Sequence, residues 1–129
     1  MVKAILAVAA GGACGAVGRY MVMVGATRLL GLHFPFGTLI VNIVGSFLLG
    51  MLAEGLALAW TVSPETRLFL VVGFLGAFTT FSTFSLDVVS LYQRGQVLLA
   101  AVYLLSSVVL SVGALFAGLR AMRQILGPV

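Results

Sequence analysis

Acidic side chains are nearly missing from this sequence: Glu54, Glu65 and Asp87 are its only three. There is one histidine, one cysteine and three prolines. A lone Cys14 excludes an intrachain disulfide, and with no histidine or second thiol beside it a zinc site lacks ligands. His33 falls in a connection between hydrophobic runs, far from any grouping of nucleophile, base and orienting residue, so the pattern does not suit an enzyme. The cations Lys3, Arg19, Arg28, Arg67, Arg94, Arg120 and Arg123 give a net charge of +4, yet no two are adjacent. Nucleic-acid binding requires a clustered basic face, and none is present.

Apolar residues make up the remainder. The chain is 62% hydrophobic and 8% charged, with a mean hydropathy of +1.25. A soluble domain of 129 residues cannot bury so much apolar surface, so the solvent is lipid. A bilayer core takes about 20 apolar residues per helix. Residues 1–129 therefore read as a single four-span transmembrane domain, an all-α membrane protein in contact with membrane lipid.

The first span covers residues 2–24, where Gly11, Gly15 and Gly18 offer a small-residue face for close helix approach. Cys14 reads as another small packing residue. Arg19 either snorkels to the interface or anchors a polar element within the bundle. The second span, residues 38–60, begins at Thr38 and carries Asn42 one turn later, followed by Gly45 and Ser46. An amide at that depth must face protein or a wet cavity. Ser63 is a candidate cap for the third span, with Pro64 at the helix start.

The third span, residues 65–92, is longer than one crossing needs. Its centre reads Gly-Phe-Leu-Gly-Ala-Phe-Thr-Thr-Phe-Ser-Thr-Phe from Gly73 to Phe84. Thr79, Thr80, Ser82, Thr83 and Ser85 are hydroxyls for which lipid has no partner. Residues 76–80 are the expected site of a helix break near the midplane. Asp87, beyond it, reads as an interfacial acid. In the fourth span, residues 97–119, Tyr103, Ser107 and Ser111 recur at intervals of four and form a polar line on one helix face.

Four spans place Lys3, Arg67, Arg120 and Arg123 on one side and Arg28, Arg94 and Arg19 on the other. Four against three is almost no bias under the positive-inside rule. The expectation is a chain that inserts both ways and pairs as an antiparallel, dual-topology homodimer, so that two breaks meet at one depth.

Together with Gly37-Thr38-Leu39-Ile40-Val41-Asn42 and Gly15-Ala16-Val17-Gly18-Arg19-Tyr20, the 73–85 stretch resembles the bacterial Fluc fluoride channels, also called CrcB proteins, across all four spans. The resemblance implies a fluoride-selective channel in a bacterial inner membrane. Such a channel exports the ion passively through pores in an antiparallel homodimer fastened by a structural, untransported sodium ion. It implies a fluoride pathway along Asn42, Phe81, Phe84, Thr83, Tyr103, Ser107, Ser111 and Thr38, and backbone carbonyls of Gly76 and Thr79 on the sodium. Arg19 matches the first-span arginine of the family and is expected to be a structural polar anchor. Ala77 stands where many relatives have glycine, and Asp87 where they have glutamate.

Hydroxyls and amides suit fluoride because they donate without a full charge that would hold the ion too tightly. Phenylalanine edges carry the positive end of the ring quadrupole and suit it as well. Two other readings compete. A small multidrug-resistance exporter requires a carboxylate in the first span, and this one has none. A structural subunit of a membrane complex would use the hydroxyls only as helix glue.

Overall fold

The structure, a computed structural model, describes residues 1–128, and every regular element among them is helical. In chain order these are α1 (Val2–Leu30), α2 (Phe36–Leu58), α3 (Pro64–Arg67), a π-helical segment (Leu68–Leu75), α4 (Gly76–Phe78), α5 (Phe81–Gln93) and α6 (Val97–Leu126). Four stretches are long and apolar enough to cross a membrane: Val2–Leu30, Phe36–Leu58, Pro64–Gln93 and Val97–Leu126. The shortest, α2 with 23 residues, spans about 35 Å at 1.5 Å per residue, enough for the hydrocarbon core.

Helix α1 runs six residues past the expected end at Val24, because nothing between Gly25 and Leu30 stops it. It ends at Gly31, whose φ of 84° an L side chain rarely adopts and whose N–H closes on the Thr27 carbonyl. The third span starts as its sequence suggests: Ser63 Oγ accepts from Thr66 N–H at 3.1 Å, with Pro64 in the first turn.

Small residues set two interfaces. A Cβ on Gly11 would strike the Phe69 carbonyl, and one on Gly15 the Phe74 carbonyl, so α1 lies directly on the π-helical backbone. Gly50 of α2 meets the Leu115 backbone of α6 in the same manner, and Gly118 meets Phe47. Cys14, in contrast to the packing role expected of it, is exposed on the outside of α1.

The expected break spans 76–80, but the structure confines it to two residues. Gly76 is helical (φ −61°, ψ −38°), whereas Thr79 (φ −84°, ψ 160°) and Thr80 (φ −154°, ψ 123°) are extended. The interruption is held at Thr80, whose N–H and C=O both pair with the Asn42 side chain and whose hydroxyl takes the Thr83 N–H. The π winding ahead of the break has no counterpart in the sequence reading. Its carbonyls are accommodated by the bare backbone of α1.

Candidate functional site

Asn42 of α2 holds the interrupted helix by its backbone. Its Nδ2 donates to the Thr80 carbonyl at 3.0 Å, and its Oδ1 accepts from Thr80 N–H at 2.8 Å. Thr80 then starts α5: its Oγ1 accepts from Thr83 N–H at 3.1 Å and donates to Thr83 Oγ1 at 3.1 Å. Thr79 closes the other side, with Oγ1 donating to the Leu75 carbonyl at 2.9 Å. Its methyl group lies so near Gly45 that any side chain there would collide. This arrangement diverts two amide donors. In a continuous helix Thr80 N–H would serve the Gly76 carbonyl and Thr83 N–H the Thr79 carbonyl. Here the first goes to Asn42 and the second to the Thr80 side chain.

Beside the break is a groove of about 380 Å³. Asn42, Gly76, Thr79, Phe84, Ser107 and Ser111 are among its lining residues. The hydroxyls of Ser107 and Ser111 are buried without any hydrogen-bond partner. Ser106, which points the other way, bonds its own helix at the Tyr103 carbonyl, 3.2 Å away. Unpaired hydroxyls in an apolar wall are costly unless something polar visits them.

Tyr103 is completely buried, with its ring 5.4 Å from that of Phe84. Its hydroxyl donates to Asp87 Oδ2 at 2.9 Å. Asp87 is thus part of the polar line, a link the interfacial reading of the sequence missed. A second cavity of about 250 Å³ opens on the far side, lined by Thr38, Asp87, His33 and Arg94 among others. Tyr103 lines neither space but touches both walls: its ring meets Phe84 of the first and its hydroxyl bonds Asp87 of the second.

The remaining expected residues fall around this centre. Phe81 and Phe84 are ring neighbours at 5.5 Å, but Phe84 is 9% exposed and Phe81 79%. Both rings line the groove, Phe84 from inside the protomer and Phe81 from its open edge. Thr83 turns into the cap of α5 and does not line the groove. Arg19 lies half-buried on α1, one residue beyond Gly18, which touches the Phe78 ring. Among the described residues it makes no hydrogen bond or ion pair within the chain.

Two features are absent from the sequence reading. Thr80 is the hub of the break, signalled only by being a capping-type residue directly before a resumed apolar period. Buried Glu54 on α2 pairs with Arg123 on α6, Nε to Oε1 at 2.6 Å, and ties the two helices at one end. Sixty-nine positions separate the pair, so no local pattern reveals it.

No group of three His, Cys, Asp or Glu side chains converges among the described residues. A cation site in this region has to be built from backbone oxygens. The Gly76 and Thr79 carbonyls, deprived of their helical donors and bordering the groove, have the hard-oxygen character that a small hard cation requires.

Fold and groove define a small multi-pass membrane protein organised around an interrupted helix. The sequence profile of the family described as "CrcB-like protein, Camphor Resistance (CrcB)" matches residues 6–119, and the chain belongs to that family. It is 57% identical to the "Fluoride-specific ion channel FluC" of Agrobacterium fabrum, over 94% of this chain and 97% of the relative. It is 54% identical to the protein of the same name from Nitrobacter winogradskyi, over 94% and 96%. With that of Rhizobium etli the identity is 51%, over 97% and 99%. These relatives bear the names of channels, and the chain is not an enzyme.

Proposed function

We propose that the chain forms a fluoride-selective channel of the bacterial inner membrane, passing the ion passively down its electrochemical gradient. The observation that carries this reading is the pair of buried, partnerless hydroxyls of Ser107 and Ser111 on a groove walled by Phe84. Their donors replace part of the hydration of a small anion without binding it as a full charge would. The names of the relatives point to the same ion. Asn42 spends one of its two amide hydrogens on Thr80, which leaves the second for the groove. Thr38 continues the polar line toward the second cavity, and Tyr103, whose one hydroxyl hydrogen goes to Asp87, offers the anion a donor only when that bond opens.

In this reading two copies pair in antiparallel orientation. The near-equal loop charges allow both insertions, and the outward ring of Phe81 supplies an apolar surface for the second copy. The break of each copy then meets its mate across the twofold axis, where Gly76 and Thr79 of both chains would hold a structural sodium ion. When bound, such an ion supplies a fixed positive charge that fastens the two interruptions. Arg19 anchors the polar centre from α1.

Reconstitution into liposomes with a fluoride electrode tests the proposal. Efflux is expected only when a potassium ionophore dissipates the accumulating charge, which marks uncoupled anion flux. Absence of fluoride release from loaded, folded protein would overturn the reading.

A further inference from the structure

Helices α2 and α6 run parallel. Gly50 abuts Leu115, and farther along both helices Glu54 pairs with Arg123. One turn back from Gly50 lies Ser46 on α2, and one turn back from Leu115 lies Ser111 on α6; Asn42 and Ser107 follow a turn earlier on the same helices. All four line the groove. Ser111 Oγ is buried without a partner. The Ser46 hydroxyl also forms no hydrogen bond among the described residues, neither to Ser111 nor to the turn before it. Two hydroxyls on one groove that bond neither each other nor backbone leave an unfilled gap beside them. Apolar Leu49, Val71 and Val112 line the same groove. Among the described residues no charged side chain lines the groove, and Gly50 brings α2 against the Leu115 backbone of α6 one turn on.

We infer that Ser46 and Ser111 form a further anion subsite, the last rung of the polar ladder, which takes a small hard anion between two neutral donors. This inference rests on the channel reading above and names fluoride as the ion. Ser46 contributes a donor from α2, so the subsite belongs to both helices and not to the α6 hydroxyl line alone.

Fluoride efflux from liposomes carrying Ser46→Ala, Ser46→Thr, Ser111→Ala and the Ser46→Ala/Ser111→Ala double variant tests it, with size-exclusion elution as the check on folding. Loss of one donor hydrogen bond to the ion slows efflux by about tenfold in Ser46→Ala. Ser46→Thr, which keeps the hydroxyl, restores most of the rate. If both hydroxyls hold one ion, the double variant is slower than either single variant by less than the product of the two effects. Wild-type efflux from Ser46→Ala overturns the subsite while leaving the channel reading intact, and shows that the gap holds water only. Strictly multiplicative losses overturn the shared ion. A wild-type protein that releases no fluoride overturns both readings together.

Discussion

Asn42 and Thr80 lie on different spans, yet they pair as two strands of a sheet would, one amide matched to one peptide by bonds of 3.0 and 2.8 Å. The side chain of Asn42 takes over the donor and acceptor roles that a continuing helix would have filled. This pairing allows the backbone to run extended through Thr79 and Thr80 inside an apolar environment.

Asn42→Ala should therefore act first on the fold. It leaves the Thr80 N–H and C=O unpaired beside the groove, at about 1–3 kcal/mol for each unsatisfied group. The detergent-solubilised variant is expected to melt several degrees below wild type in a circular-dichroism scan. A variant with wild-type melting would show that the break does not depend on the amide.

Much of this architecture was legible in the sequence because lipid makes the rules strict. Twenty-residue apolar runs marked the spans, and Asn42 and the 79–85 hydroxyls marked where backbone or cavity had to answer them. The four-residue spacing of Tyr103, Ser107 and Ser111 became one groove-facing line apart from Tyr103, which sits just behind it. Pairings decided by register between distant helices were beyond reach, among them Asp87 with Tyr103 and Glu54 with Arg123. The π winding of residues 68–75 was equally hidden, because it follows from how closely the glycines of α1 let another backbone approach. Side-chain periodicity carries no trace of that.

Gly12 and Gly15 provide an internal comparison on α1. A Cβ at Gly12 meets nothing within 4 Å, whereas one at Gly15 meets the Phe74 carbonyl. Gly15→Ala is expected to cost about 1–3 kcal/mol through overpacking, while Gly12→Ala is neutral or slightly stabilising through better helix propensity. Thermal melts of the two variants side by side check this. Equal melting temperatures would mean that α1 does not rest on the π-helical backbone.

Glu54 and Arg123 are unequal partners, since the carboxylate is buried and the guanidinium is 70% exposed. Arg123→Ala leaves a buried charge without its donor, whereas Glu54→Gln removes that charge and leaves an exposed cation in water. The arginine variant is expected to lose more stability, by about 1.5–3 kcal/mol against wild type. Melting curves in which Glu54→Gln is the worse of the two would contradict the asymmetry.

Phe81 and Phe84 touch each other and both line the groove, but only Phe84 is buried within the protomer, and this separates packing from conduction. Phe84 lies against Tyr103 inside the protomer, so Phe84→Ile disturbs the core and should lower the melting temperature modestly. Phe81 is 79% exposed in the single chain, so Phe81→Ile leaves the protomer fold unchanged. Under the channel reading both rings present polarised edges to the anion. Each substitution is then expected to slow fluoride efflux by up to about tenfold, the equivalent of one lost aromatic contact. Both variants should still elute as dimers. Slowed flux in Phe81→Ile with an unaltered melt cannot be assigned to core damage, which makes it the more informative of the two. Wild-type flux in both variants would remove the rings from the ion's path and leave them as packing.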